Sequence, residues 1–288
     1  MPTTLWPAFI GGAYTARSPT LDAEACVNLY PATIASASNP KQKVLWPTPG
    51  LVRRLEVGTT PCRGLFSEDG RTWAVVGTQL YELDLTANTA TALGTIPNDG
   101  NPVSFASNGR GGEQLAICGG GQLAIIDLDT NTFTAPIALP LTNLPVMTGF
   151  IDGYFLLLEA DTVRVYFSAL EDGSNWDALD FFARSQTSDN LVAMTVLRDR
   201  VWCIGSETTQ IVYDSGDPDV PFVPYPGAVI PYGIVGPWAL ASDGDSLYWL
   251  AEQDQGRAGF VRATEGGVQS ISTDAIDFAI AGATTLAD

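Results

Sequence analysis

The chain has 288 residues, 45% of them apolar, and a net charge of −18 from 32 acidic against 14 basic residues, with no histidine. That balance excludes a protein that grips nucleic acid through its phosphates, which needs clustered Lys or Arg. It also removes the usual acid–base group of neutral-pH catalysis, which argues against an enzyme.

Nothing in the chain approaches the roughly 20 consecutive apolar residues of a membrane helix. The start, MPTTLWPAFI, has no basic segment ahead of its apolar residues and is broken by Pro, so the sequence predicts synthesis in the cytosol without a signal peptide. Residues 1–60 are rich in Pro, Ala, Ser and Thr, with strand-like islands at GGAYTARS and ACVNLYP. The run PATIASASNPKQK reads as a loop or flexible arm. It holds Lys41 and Lys43, the only lysines, and is either a long surface loop or a docking arm.

From residue 61 helical periodicity is almost absent. Short apolar alternations are cut by Gly, Pro, Asp and Asn about every eight to twelve residues, which predicts an all-β fold. One internal repeat is visible: GTQLYELDLTANTAT at 77–91 against GGQLAIIDLDTNTFT at 120–134, a period of 43. Upstream, FSEDG from Phe66 matches FASNG from Phe105 at a period of 39. The first copy predicts strands over 63–67, 72–76, 79–85 and 89–96. Four strands about every 40 residues make a propeller blade. Three further sheets follow over 147–182, 191–226 and 239–271, for about five or six blades in all. Residues 272–288 hold the one plausible helix, with Ile276 and Ile280 four apart and Thr273 as its cap.

Two phrases stand out, SEDGRTW at 67–73 and SALEDGSNWDALDF at 168–181. Each places Asp-Gly three residues before a Trp. Asp-Gly favours a tight hairpin turn, and the phrase resembles the Asp-box of sialidase-type propellers with one residue missing. Trp73, Trp176, Asp180 and Phe181 are therefore expected as turn and core residues, each Trp covering the hairpin of its own blade. No pair of carboxylates is singled out for glycoside hydrolysis. The pairs Asp127–Asp129, Asp217–Asp219 and Asp243–Asp245 do not extend into a calcium loop. The Gly run 119–121 enters a hairpin and not a helix, so it is no phosphate cradle. The four cysteines include no C-x-x-C pair, and Cys118 and Cys203 lie in apolar runs as buried thiols. No metal or other cofactor is expected.

The order of several motifs then points further. GGAYTARSPTLDAEACVNLYP, LWPTPGL, IDGYF, FSALEDGSNWDALDF, VWCIGSETTQIVYDSGDPDVPF and ISTDAIDFAIA span nearly the whole chain. Together they resemble the packaged-DNA stabilisation proteins of short-tailed phages, the tail hub or nozzle family. Asp274 stands where such proteins often have a histidine, and they usually run on beyond the point at which this chain stops. The resemblance implies a structural virion protein made in the host cytoplasm. Six copies would form a tube below the head-to-tail adaptor ring, retaining the genome and conducting it at ejection. Fibres or spikes and a central needle or plug would attach to it.

The expected division is a docking and closing arm over 1–60, a propeller over 61–271 and a short helix or tail over 272–288, with the first strands or further chain completing the last blade. If DNA passes along a wall of this protein, the acids in turns are the candidates for lining it: Asp172, Asp177, Asp217, Asp219, Asp243 and Asp245. The rival function is a carbohydrate-binding or sialidase-like propeller.

Overall fold

The computed structural model describes residues 14–15, 23–24, 27–36, 39–218, 220–253, 257–264 and 267–283. Two compact units appear: the described residues through Arg53 together with those from Ser272 on, and Arg54–Ile271.

The larger unit holds five four-stranded antiparallel sheets, each with its strands in sequence order. They are blades 1 to 5, over 62–95, 104–134, 145–183, 191–230 and 240–270. The strands of blade 1 are Cys62–Glu68, Arg71–Val76, Gln79–Asp84 and Thr89–Thr95. Each end lies within one residue of the sequence expectation.

Apolar side chains alternate between the two faces of a blade, and each face meets a different neighbour. In blade 2, Leu115, Ile117, Ala124 and Ile126 pack with Trp73, Val75 and Leu80 of blade 1. Their strand neighbours Ala116, Cys118, Leu123 and Ile125 pack with Phe155 and Leu157 of blade 3. In blade 3, Leu156 and Leu158 join a third cluster that runs through Val201 and Ile211 of blade 4 to Leu247 and Trp249 of blade 5. This is why the second strands of blades 1 to 4 are buried on both faces and read as unbroken apolar runs.

Each crossover from one blade to the next is pinned by a buried polar group. Arg63 donates to the carbonyls of Gly77, Pro97 and Asn101 and to Asp99, so blade 1 clasps the chain leaving it. Glu159 of blade 3, fully buried, accepts the N–H groups of Thr142 and Asn143 at 2.7 and 2.9 Å. Asp189, between blades 3 and 4, accepts from Arg184 and from the backbone of Glu207 and Thr208. Burial opposes ionisation of Asp189. Those N–H groups, the Thr208 hydroxyl and Arg184 outweigh it and hold its pKa below the ordinary value. The Trp249 indole N–H donates to Gly233 between blades 4 and 5.

Three expectations are corrected. Residues 31–43 do not form a loop. Those described, 31–36 and 39–43, belong to the paired strands Leu29–Ser36 and Asn39–Pro47, in register from Leu29 opposite Pro47 to Ser36 opposite Asn39. The small residues Ala32, Thr33, Ala35 and Ser36 hid the strand because they carry little apolar alternation. No early strand is needed to complete the last blade, because all four of its strands come from 240–270. A helix does form at Asp274–Ala281, but Thr273 makes no side-chain capping bond.

Candidate functional site

In an antiparallel blade, the turns joining the first strand to the second and the third to the fourth share one end. The crossovers share the other end. The two ends differ in charge. Asp99, Glu159 and Asp189 at the crossover end are occupied in holding the chain. At the turn end Asp69, Asp152, Asp199, Asp243 and Asp245 sit in or beside tight turns. Asp69–Gly70 and Asp152–Gly153 have positive φ at both residues, the geometry that Asp-Gly favours.

Crowding of acids is felt there. Asp152 is exposed by surface area, yet partial desolvation by the surrounding turn raises its pKa, and the charges of Asp214 and Asp199 raise it further. Asp180 is half-buried and shifts the same way, through burial and then Asp177. Phe181 packs on Tyr166, ring centroids 5.4 Å apart, under the Arg164 guanidinium.

The proposed channel acids divide. Asp172, half-buried, opens the last strand of blade 3, Asp172–Ala183. Asp177 lies exposed within that strand and accepts the N–H of Leu179. Asp217 is exposed in the loop between the last strands of blade 4. Asp243 accepts the Tyr248 hydroxyl first of all, and the N–H groups of Asp245 and Ser246, which lower its pKa. Asp245 pairs with Arg198 at 2.8 Å. Asp219 lies outside the described residues. Lys41 and Lys43 fall in the strand Asn39–Pro47, and their side chains also lie outside the described residues.

The two Trp phrases are not equivalent. Asp69–Gly70 is the first hairpin turn of blade 1, and Trp73 is 1% exposed. In blade 3 the turn is Leu170–Glu171, between Ala169 and Asp172, so Asp172–Gly173 is not the turn expected from the sequence. The register shifts there, from Ala169 opposite Asp172 to Ser168 opposite Trp176. The Asp172 carboxylate holds the bulged residues by accepting from Ser174, and Trp176 donates its indole N–H to Gly173 at 2.7 Å. Gly173 itself is pressed between blades: a Cβ there would lie 2.9 Å from both Ile125 and Phe155. Its N–H goes to Gln114 of blade 2. Trp176 is half-buried.

The first strands of blades 1 to 4 and the run 237–240 enclose an axial cavity of about 430 Å³. Phe66, Phe105, Phe150 and Trp238 line it, with Glu68, Thr148 and Thr195. Nothing in the sequence marked Trp238, because it precedes its blade and belongs to no repeat. The crossover pins were equally invisible, since Glu159 looks like any acid that ends a strand. Among the described residues no group of three or more His, Cys, Asp or Glu could hold a metal ion. No described helix is long and apolar enough to cross a membrane. Cys118 and Cys203 are buried, and burial pushes both thiols up to about 12. Cys62 is exposed.

The model of the phage stabilisation family, described as bacteriophage P22 Gp10, beta-propeller, matches residues 7–287. The chain belongs to this family. Membership agrees with the blades and with the resemblance read from the motifs, and it gives the chain a phage origin. A search of curated proteins gives no match. Many solved structures are similar in part, and two serve as examples. One is the extracellular domain of BT4673 from B. thetaiotaomicron, at 13% identity and a TM-score of 0.49, over 74% of this chain and 28% of that one. The other is PorZ, a surface component of the type-IX secretion system of Porphyromonas gingivalis, at 10% and 0.45, over 84% and 34%. The chain spans about a third or less of either, and the assignment rests on the family match.

Proposed function

We propose that this chain is the structural hub of a short phage tail and has no enzymatic role. Six copies enclose the DNA path beneath the head-to-tail adaptor ring, retain the packaged genome and conduct it at ejection. Fibres or spikes and a needle or plug attach to the same ring. The observation that carries this reading is the family match over nearly the whole chain.

Two physical points support it. The axial cavity of one propeller is ligand-sized. A duplex whose major groove alone is about 12 Å wide has no passage there. If DNA passes along this protein, its path lies between copies, which is consistent with a ring. The acids gathered at the turn end suit a wall that DNA passes without being held, since held phosphates require Lys or Arg.

Light scattering on the purified chain with its adaptor, followed by electron microscopy of the assembled particle, tests the reading. A ring of about six copies at the tail supports it. A chain that stays monomeric beside the adaptor, and is missing from the tail, overturns it.

A further inference from the structure

The axial cavity runs between two ends that differ. Trp238 lines it and also lines a smaller cavity with the crossover residues Asp99, Asn101 and Pro102, so Trp238 marks the crossover end. Glu68 and Ser107 line it where the first strands of blades 1 and 2 finish, and so mark the turn end. The wall between them is largely apolar. Phe66 and Phe105, which match in the repeat, stack there with ring centroids 5.6 Å apart, and Phe150 and Met194 continue it.

Among the described residues that line this cavity, Glu68 alone is ionisable. It is half-buried, and its carboxylate makes no ion pair or hydrogen bond among the described residues. Two guanidiniums share a neighbouring cavity with Glu68, and both are spent elsewhere. Arg71 donates to Glu82, the Leu128 carbonyl and Asn131, and Arg110 donates to Asp69. A carboxylate drawn part-way out of water with no cation beside it is uncompensated, and a ligand that carries a cation relieves this.

The rest of the cavity fixes the class of that ligand. An anion would approach through the acid-rich turn end and find no Lys or Arg in the wall to receive it. A cation is drawn to the same end by the same acids. The rings and methionines of the wall are filled best by an apolar body, which leaves water as it enters. At about 30 Å³ per water the space equals roughly 14 waters, which takes a compact ligand and not a polymer.

We propose that the axial cavity binds a small organic ammonium ion, its apolar body among Phe66, Phe105, Phe150 and Trp238 and its ammonium group at the Glu68 carboxylate. The site lies within one propeller, so it stands whether or not the chain builds a tail tube.

Saturation-transfer NMR titrations on the full chain test it with three probes of one shape: phenethylamine, phenethyl alcohol and phenylacetate. The amine should bind at least about fivefold more tightly than the alcohol, a difference of about 1 kcal/mol, and phenylacetate should bind least. Glu68→Gln should bring the amine and the alcohol to equal affinity. An acidic chain also attracts amines over its whole surface, and a second variant separates that effect. Thr195→Phe places a ring in the cavity, leaves the net charge unchanged, and should abolish binding of amine and alcohol alike. If Thr195→Phe does not fold, Glu68→Gln decides alone, because it alters the net charge of −18 by a single unit. An amine that does not bind, or binds no better than the alcohol, overturns the proposal. So does an amine preference that survives in Glu68→Gln, or amine binding that survives in folded Thr195→Phe.

Discussion

Arg63 and Asp99 meet at 2.8 Å, and the pair ties the first strand of blade 1 to the crossover leaving that blade. The arginine is 8% exposed and also binds three carbonyls, whereas the Asp99 side chain is 40% exposed. The two ends of one bond should therefore respond differently. Arg63→Ala strands buried acceptors and should cost about 3 kcal/mol. Asp99→Ala loses a part-exposed charge and should cost about 1 kcal/mol or less. Urea denaturation of both variants reads the difference, and equal losses would refute the asymmetry.

The two tryptophans should also separate. Trp73 fills the interface of blades 1 and 2, so Trp73→Ala should cost about 4 kcal/mol. Trp176 is half-buried at a bulge, so Trp176→Ala should cost about 2 kcal/mol, well short of a full aromatic deletion. Denaturant midpoints at constant slope check the order. A larger loss at Trp176 would show that the bulge matters more than the core beside it.

The repeat made blade 1 legible almost to the residue, because each strand is bounded by a turn whose chemistry is local, as at Asp69–Gly70. The second Asp-Gly was misread as a turn for the opposite reason, although Trp176 does pack against the core between blades 2 and 3. The same Asp-Gly letters lie one step past a turn made by Leu170–Glu171, and only the approach of blade 2 through Gln114 explains why Gly173 is there. The pins at Arg63, Glu159 and Asp189 are contacts between distant segments, and one sequence without repeats at those positions carries no trace of them. The strand pair at 29–36 and 39–47 escaped because it shows no alternation with a buried face: Tyr30 and Trp46, opposite each other in it, are each 49% exposed.

That strand pair belongs to the unit separate from Arg54–Ile271. Deleting residues 31–43 should leave the blades folded, with unchanged circular dichroism from the sheets. It should also weaken assembly into rings or onto the adaptor. Sedimentation of the deleted chain with its adaptor would show normal rings if the segment has no docking role.

Asp152 gives a pH prediction with a definite sign. Partial desolvation first, then Asp214 and Asp199, raise its pKa in the fold above the ordinary 3.8. Between those two values the folded chain keeps a proton that the unfolded chain has released. Stability is thus full below 3.8 and is lost as pH rises through the folded pKa. Asp152→Asn removes that loss, and Asn tolerates the positive φ of 48° found there. The variant should melt higher than the parent at pH 7 and equally at pH 3. Part of the gain should fade in high salt, because the two neighbouring charges are screened while desolvation is not. A variant that melts lower at pH 7 would show that the carboxylate makes an interaction that outweighs its crowding.

The acid-rich turn end can be tested most directly through DNA. Two like charges 10 Å apart in water repel by only about 0.4 kcal/mol, and salt with a Debye length of about 8 Å weakens that further. One carboxylate therefore decides nothing, but a ring repeats each one around the path. The residues for reversal should not also hold the fold. Asp243 closes its own turn, and Asp245 holds Arg198, so changing them would confound charge with structure. Asp177 is exposed on the last strand of blade 3 and its carboxylate bonds the N–H of Leu179 two residues on, a local contact, and the Asp199 side chain is 79% exposed, with a 3.7 Å approach to Arg200. The double change Asp177→Lys and Asp199→Lys should leave the melting temperature nearly unchanged and create DNA binding that falls steeply with salt, as counterion release requires. In assembled particles it should slow ejection at low salt, with the parent rate regained at high salt. Normal ejection at every salt concentration would place these acids away from the DNA path and leave solubility as the reason for the charge.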